Sequence, residues 1–295
     1  FENLTDYAYS LQVKSVGFQT YEEIVRAGSM VTISLTSSAT ALDEIVVSAT
    51  RAGTRTPMAY NNVSGVELHR RGAADNMPNL LNTLPSVVSF NEGGTGVGNT
   101  SMRIRGTDDT RINVTLNGMP LNNPASQGVF WVNLPNLSAT VENVQLQRGI
   151  GTSTNGAAAF GASLSMKTAT AKQNPYGEAS TSLGSYNTYL STVAAGTGIM
   201  ENGLSFDARY SRVLSDGYIR NGSVNHKNLY ASVSHRTANQ LVQLVYLYGD
   251  QITGITWEGV TQEQIDEHGR QYNPAGEYTD NAGNTLYYGN TNRIR

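Results

Sequence analysis

The stretch GLSFDARYSR, residues 203–212, alternates strictly between apolar and polar side chains. In an extended strand this period of two places one kind of residue on each face. The apolar face holds Leu204, Phe206, Ala208 and Tyr210. KNLYASVSHR at 227–236 and LVQLVYLYGD at 241–250 repeat the pattern. The turns IMENG at 199–203 and TANQ at 237–240 are short, whereas 251–286 is a long polar stretch. Strands of about ten residues with one apolar face, tight turns at one end and long loops at the other are typical of outer-membrane barrels.

Composition excludes several classes of protein. The chain has 295 residues, a formal net charge of −3 and no block of basic residues, which argues against a nucleic-acid partner held through phosphates. It has no cysteine, so no disulfide framework is possible within it. No segment approaches the ~20 apolar residues of a membrane-spanning helix. Any contact with a membrane therefore has to be made by strands.

Between residues 86 and 170 the sequence predicts short strands separated by glycine, asparagine and proline. The strand candidates are SVVSF, SMRIRG, INVTLNG, VENVQLQRG and ASLSMKT. A short helix is expected at 75–83, with Asp75 as its cap and Pro78 in its first turn. The region thus has the pattern of a small mixed α/β domain in which strands dominate.

Three segments, in this order, resemble the TonB-dependent outer-membrane transporters. LDEIVVSATR at 42–51 resembles the TonB box, residues 80–122 resemble the first half of the plug domain, and VENVQLQRGIGTSTNGAAAFGASLSMKT at 141–168 resembles its end. Residues 7–41 are similar to the last strands of the carboxypeptidase-regulatory-like domain that precedes the plug in many Bacteroidetes members, and GEASTSLGSYNT resembles the first barrel strand.

The resemblance implies a mostly β chain made of four parts. We expect the end of a small β-sandwich domain at 1–41, a TonB box at 42–51 and a mixed α/β plug at 52–172. Residues 173–295 would form about five strands and one long extracellular loop of a large antiparallel transmembrane β-barrel that is incomplete in this chain. A barrel of roughly twenty-two strands has a lumen wide enough to need a plug. The expected location is the outer membrane of a bacterial cell, in contact with its lipid.

The β-branched run near the amino end is the expected contact with TonB. A free strand can add to the edge of a partner's sheet through main-chain hydrogen bonds. The predicted TonB-binding residues are Asp43, Glu44, Ile45, Val46, Val47, Ser48 and Ala49. The alternative is an ordinary strand that pairs within the preceding domain.

Two polar loops of the plug are the expected floor of the substrate pocket. The predicted contacts are Asn91, Glu92, Asn99, Asn122, Asn123, Gln127, Phe130 and Trp131. For Phe130 and Trp131 an anchoring role in the plug core is at least as well supported. The glycines of NEGGTGVGN do not have the G-x-G-x-x-G spacing of a nucleotide-binding loop, and a strand follows them.

Arg105 and Arg148 match two arginines that latch the plug to barrel glutamates in the family; the alternative is that either is exposed on a plug strand. His69, His226, His235 and His268 lack metal-ligand spacing, so we expect no metal, no cofactor and no enzymatic activity.

The sequence thus predicts TonB-dependent import of a scarce nutrient, first of all a ferric siderophore or another iron chelate. Haem, cobalamin or a glycan are the alternative cargoes, and the resemblance leaves open a surface lipoprotein partner. Two further alternatives come from other classes: a β-rich surface binding protein or adhesin without transport, and a secreted hydrolase.

Overall fold

The structure is a computed structural model that describes most of the chain. The described residues are 8–14, 20–26, 28, 30–35, 51–53, 56–72, 74–150, 159–237, 240–275, 277–287 and 291–294. The first described element is an antiparallel hairpin of β1, Ala8–Val13, and β2, Tyr21–Arg26. The predicted TonB-binding residues 43–49 lie outside the described part of the chain, so that assignment stays a prediction.

A mixed α/β unit follows. Its elements are β3 (Tyr60–Ser64), α1 (Gly65–Arg71), α2 (Met77–Leu80), β4 (Val87–Asn91), β5 (Thr100–Ile104), β6 (Ile112–Leu116), β7 (Met119–Pro120), β8 (Val141–Arg148) and β9 (Ala162–Thr168). The main sheet has the order β3-β8-β9-β6-β7, in which only β6 and β9 run parallel. β4 and β5 form a separate hairpin. All five predicted strands of this region are present.

One apolar face of this sheet builds the core. Val144 and Leu146 of β8 and Leu164 of β9 have no exposed surface. Leu68 of α1 and the side chains of α2 cover them. The opposite face of β8 and β9 carries polar side chains, among them Gln145 and Ser165, which face each other across the ladder. The sheet therefore has one apolar and one polar surface.

The helices of this unit differ from the sequence-based expectation. α1 was not expected, although Ser64 caps it by accepting a hydrogen bond from the Glu67 amide at 3.2 Å. The helix predicted at 75–83 is present, but it spans only Met77–Leu80 and its N-cap is Asn76, so the predicted length and the predicted cap, Asp75, are wrong. Proline lies in the first turn as expected. The Asn76 side chain makes no cap hydrogen bond and instead donates to the Gly98 carbonyl at 2.6 Å.

The carboxyl-terminal part is an antiparallel meander. Its elements are β10 (Tyr176–Gly184), β11 (Thr188–Gly196), β12 (Leu204–Ser215), β13 (Val224–Arg236), β14 (Leu241–Gly254), α3 (Gln262–His268), β15 (Glu277–Thr279), β16 (Thr285–Tyr287) and β17 (Thr291–Ile294). Each long strand pairs with the next, and β14 pairs with β17, which gives an open sheet of six strands. Residues 216–223 and 255–287 connect strands at one end of the sheet, which we call the loop end.

The two faces of this sheet have the opposite polarity to those of a water-soluble domain. On β12, Phe206 and Tyr210 are 45% and 44% exposed, whereas Ser205 and Ser211 are buried. β13 and β14 repeat this arrangement. Their outward apolar side chains are Leu229, Val233, Val242, Leu244, Tyr246 and Tyr248. The predicted alternation is thus confirmed, and the apolar face is the one that no part of the described chain covers.

Among the described residues, no helix combines the length and the apolar character required to cross a bilayer.

Leu244→Arg tests whether the outward face meets lipid. A charge there should destabilise the full-length protein in lipid vesicles by about 2–4 kcal/mol near the bilayer midplane, and by less than about 1 kcal/mol near the surface. The measurement is the urea-unfolding transition. Gln243→Arg, on the inward face one residue away, is the matched control and should change stability little; equal effects of the two substitutions would contradict a lipid-facing surface.

Candidate functional site

The loop between β4 and β5, Glu92–Asn99, is one of the two predicted ligand loops. Gly94, Gly96 and Gly98 all have positive φ angles, which side chains with a Cβ rarely adopt. Asn91 holds the loop from inside: its Oδ1 accepts from the Thr95 amide at 2.9 Å and its Nδ2 donates to the Val97 carbonyl at 3.3 Å. The amide of Asn91 is therefore already engaged in shaping the loop.

Glu92 and Asn99 close the base of the same loop. The Glu92 amide donates to the Asn99 carbonyl at 3.1 Å, and the Asn99 side chain is hydrogen-bonded to the Glu92 carboxylate. Desolvation raises the pKa of Glu92, while the hydrogen bond from Asn99 offsets part of this effect. Glu92 thus presents a carboxylate that a cationic or hydrogen-bonding ligand can stabilise.

This loop is docked against the loop end of the six-stranded sheet. The Tyr218 amide donates to the Gly93 carbonyl at 3.0 Å, and the Tyr218 ring packs edge-on against Tyr186 with centroids 5.4 Å apart. The next loop joins in turn, since Asn273 Nδ2 donates to the Arg220 and Ile255 carbonyls at 2.8 and 2.9 Å. The α/β unit and both long connections of the sheet therefore meet at one place.

The second predicted ligand loop, residues 121–130, is shaped by its asparagines. Asn122 accepts from the Val114 amide at 2.8 Å and donates to the Ile112 and Gln127 carbonyls. Asn123 accepts from the amides of Ala125 and Ser126, as in an Asx turn. Gln127 is exposed and has a left-handed φ of 60°. Of these three side chains, Gln127 is the one that points to solvent without a structural hydrogen bond among the described residues.

Phe130 and Trp131 are separated by the fold. Phe130 is 55% exposed beside Gln127, whereas Trp131 is 2% exposed and belongs to the apolar core. A ligand on the surface cannot contact the Trp131 ring, so the structure corrects this part of the predicted site in favour of the anchoring alternative. Sequence reasoning could not separate the two rings because neighbouring positions in a loop have no fixed period.

Arg105 and Arg148 approach the same turn of the α/β unit. The Arg105 amide donates to the Ser86 carbonyl at 2.9 Å, and Arg148 Nη1 lies 3.4 Å from the Pro85 carbonyl. Arg148 also donates to the Asn61 side chain. Neither arginine forms an ion pair with a carboxylate within the part of the chain that the structure describes. Their predicted role as a latch stays a prediction.

A cavity of about 530 Å³ lies beside the first ligand loop, between the α/β unit and the turn that joins β10 to β11. Its polar lining includes Asp75, Asn79, Asn91, Thr95, Ser182 and Tyr186. The Thr95 hydroxyl is buried and has no hydrogen-bond partner among the described residues. Sequence reasoning missed Asp75, Asn79 and Thr95 as candidate site residues, because it read Asp75 only as a helix cap. The candidate site therefore extends from the loop into this cavity, toward the turn that joins β10 to β11.

No group of three or more His, Cys, Asp and Glu side chains that could hold a metal ion is present in the described ranges. His226 is one of the four histidines whose spacing in the sequence predicts no metal site. Its Nε2 is hydrogen-bonded to the Thr253 hydroxyl at 2.9 Å.

Comparison with known proteins identifies the α/β unit. Residues 53–163 match the TonB-dependent Receptor Plug Domain. No curated protein matches the chain.

Solved structures resemble the chain in fold at low identity. The ferric yersiniabactin uptake receptor from Yersinia pestis is 16% identical over 70% of this chain and 33% of the receptor, with a TM-score of 0.53. The unliganded ferric citrate transporter is 18% identical over 73% of this chain and 34% of the transporter (TM-score 0.60). The ferripyoverdine receptor of the Pseudomonas aeruginosa outer membrane is 13% identical over 69% and 26% (TM-score 0.56). The chain thus spans about a quarter to a third of these proteins.

These comparisons confirm the predicted fold class: a mostly β chain with a plug domain followed by the first strands of a receptor barrel. They also support the predicted outer-membrane location. The carboxypeptidase-regulatory-like domain and the Bacteroidetes type stay predictions.

Asp75→Asn tests the electrostatics of the cavity wall. Burial raises the pKa of Asp75, with a partial offset from the Asn79 hydrogen bond. The folded state therefore binds the proton more tightly than the unfolded state, and this contribution to stability is present below the unfolded pKa and lost as the pH rises through the folded pKa. Asn cannot ionise. The free energy of unfolding of Asp75→Asn, relative to that of the unsubstituted protein, should therefore be larger at pH 7 than at pH 3.5.

The measurement is the urea-unfolding midpoint of the full-length protein in detergent at both pH values. Asp108→Asn is the matched control of opposite sign, because the hydrogen bonds from Thr110 lower the pKa of Asp108 and its carboxylate stabilises the fold at neutral pH. Parallel pH dependence of the two variants would contradict the assignment for Asp75.

Proposed function

We propose that this chain, which carries the plug domain of a TonB-dependent receptor and the first strands of its barrel, belongs to a transporter that imports a scarce nutrient across the bacterial outer membrane. The observation that carries the proposal is the plug match at 53–163 on a unit whose apical loop is hydrogen-bonded to the loop end of the barrel sheet. In such an arrangement a ligand that binds the loops from outside contacts plug and barrel together.

The proposed cargo is a ferric chelate. Support comes from the solved structures of similar fold, which include uptake proteins for ferric yersiniabactin, ferric citrate and ferripyoverdine. The polar loop surface is compatible with a chelate that presents carboxylate, hydroxyl and amide oxygens. Haem, cobalamin and glycans remain the alternative cargoes for the same mechanism.

Within the loops, the proposed ligand contacts are Glu92, Gln127 and Phe130. They expose a carboxylate, an amide and an aromatic ring, whereas the side chains of Asn91, Asn122 and Asn123 hold the loop backbones in place. Asn99 acts through Glu92, to which it is hydrogen-bonded. Preorganised loops lower the entropic cost of binding, so the asparagines support affinity without contacting the nutrient.

Energy coupling is proposed to use residues 43–49 as the strand that TonB binds. TonB would add this strand to its own sheet and displace part of the plug, which opens the pore. The ligand can promote this step only if it binds the two plug states with different affinity. Arg105 and Arg148 would hold the plug to carboxylates of the barrel wall in the closed state.

Deletion of residues 43–49 from the full-length gene should abolish uptake and leave ligand binding intact. Uptake is measured as growth of a receptor-deletion strain on single iron sources (a panel of ferric siderophores, ferric citrate and haemin) and binding as retention of radioactive iron by whole cells. Replacing SSATA at 37–41 by a Gly/Ser linker of the same length is the matched control and should preserve both. Undiminished uptake by the deletion variant would contradict TonB coupling through this segment; binding without uptake by the unmodified protein would favour an adhesin or binding protein.

Gln127→Ala and Phe130→Ala should each weaken binding of the chelate that supports growth by about tenfold, since a central contact is worth more than about 1 kcal/mol. Met119→Ala is the control. Met119 is 71% exposed and pairs with Leu116 at the carboxyl end of β6, whereas Asn122 of the loop bonds Ile112 at the amino end. Unchanged dissociation constants for both loop variants, measured on whole cells with the labelled chelate, would remove loop 121–130 from the site.

A further inference from the structure

The charges on the outward face of the six-stranded sheet are concentrated in one place. Along β10–β14, every residue of which the structure describes, three outward positions carry side chains that are charged at neutral pH: Arg212, Lys227 and Asp250. Arg212 is paired with Lys227 across the strands, and Lys227 with Asp250. On the other side Arg212 is paired with Ser191, and Ser191 with Thr181. We call this line of five polar residues the charged row.

The charged row lies toward the loop end of the lipid-facing surface. Below it are apolar and aromatic side chains, of which the nearest are Tyr210, Leu229 and Tyr248. Leu204, at the opposite end of β12, is about 27 Å from Arg212 along the strand, or about 20 Å along the membrane normal for a strand tilted by roughly 40°. An apolar band of about 25 Å that begins near Leu204 therefore ends close to the charged row. This depth corresponds to the headgroups of the leaflet on the side of the long loops.

The charged row is not neutral. Two like charges directly opposite each other in a sheet destabilise it, and Arg212 and Lys227 are such a pair. The Asp250 carboxylate lies 3.7 Å from the Lys227 ammonium, which leaves one positive charge in the row without a counter-charge. Arg212 donates from Nε to Asn225 Oδ1 at 3.3 Å and has no carboxylate partner within the part of the chain that the structure describes. An anion between Arg212 and Lys227 would relieve the repulsion.

The geometry of the two cations suits a phosphate group. The contact with Asn225 occupies the Arg212 Nε, so the two terminal nitrogens of the guanidinium remain to form paired hydrogen bonds with phosphate oxygens. The Lys227 side chain is 42% exposed and can supply a second point charge to the same group. A phosphate is thus matched by a fork on one strand and an ammonium on the next.

We propose that Arg212 and Lys227 bind the phosphate of an anionic lipid headgroup in the outer leaflet of the outer membrane. The observation that selects a lipid is the position of the two cations on the outward face, next to the apolar rows. A lipid can place its phosphate between the cations while its acyl chains cover those rows, and both contacts add to its affinity. The proposed site is separate from the nutrient loops, so it does not depend on the cargo.

The test is a titration of the full-length protein in a neutral detergent with bisphosphorylated lipid A, followed by native mass spectrometry. We expect the protein to retain the lipid. Arg212→Gln and Lys227→Gln should each weaken the affinity about tenfold, because each removes a charge-assisted hydrogen bond. Asp250→Asn should strengthen it, because that substitution makes the charged row more positive.

Arg270→Gln is the matched control. Arg270 is exposed and lies between α3 and β15 at the loop end, so this variant loses the same charge away from the outward face. It should leave the affinity for lipid A unchanged. Equal loss in Arg270→Gln and Arg212→Gln would overturn the proposal, since binding would then follow the net charge of the protein. Weakening by Asp250→Asn to the same extent as by the two cation variants would also overturn it, since the row would then act through the fold.

Two further arms identify the bound group. Dephosphorylated lipid A should bind at least tenfold more weakly than the bisphosphorylated form, because it lacks the group that both cations contact. Equal retention of the two forms would assign the contact to the acyl chains alone and contradict the phosphate site. Inorganic phosphate at millimolar concentration should leave lipid A bound, because it does not replace the acyl contacts. Complete displacement by inorganic phosphate would contradict a lipid as the occupant.

Discussion

Polar side chains in the interior and apolar side chains on the exterior of the curved sheet are the constraint on which this structure depends. The buried side chains include Ser205 and Ser211 of β12, Ser232 of β13 and Gln251 of β14, whereas Phe206, Tyr210 and Leu244 are exposed. Water would disfavour such a surface, because exposed apolar area has no partner there. A hydrocarbon environment on the outside and a polar domain on the inside satisfy both faces, which is why plug and barrel sheet belong to one structural unit.

The contacts between plug and barrel sheet are apolar as well as polar: Val97 of the plug packs in a buried cluster with Leu190, Val213 and Val224 of the sheet. Gln251 Nε2 of β14 donates to Asn133 Oδ1 at 2.8 Å, and the Pro135 ring lies against Gly249. Farther along, the Gly93 carbonyl accepts from Tyr218, and the backbone of Gly98 packs on Val224 and Thr253. Hydrogen bonds of this kind hold a domain in place yet cost little to exchange for other polar partners. In the proposed transport cycle, these are the hydrogen bonds that the plug would exchange.

Asparagine has a different role in this plug from the one that its chemistry alone suggests. The loops are rich in asparagine, and the sequence therefore predicts ligand contacts there. The structure uses Asn91, Asn122 and Asn123 to satisfy loop amides and carbonyls that lie outside any sheet. Because buried main-chain groups need partners, a loop that carries an exposed functional residue also needs others that hold its backbone. Gln127 and Phe130 are exposed because their neighbours supply those bonds.

The sequence by itself determined most strands of the barrel sheet and of the plug, since a period of two and the turn residues between strands are local properties, but β3 of the main plug sheet was not predicted. α1 also had a local signal, the Ser64–Glu67 capping pair, but one buried leucine in seven residues provides no apolar period. Only the tertiary structure decided that Trp131 is buried and Phe130 exposed, that Asp75 lines a cavity instead of capping a helix, and that Gln145 binds the backbone of Ala52. The physical reason is that each depends on groups dozens of residues away, which burial and hydrogen-bond geometry bring together.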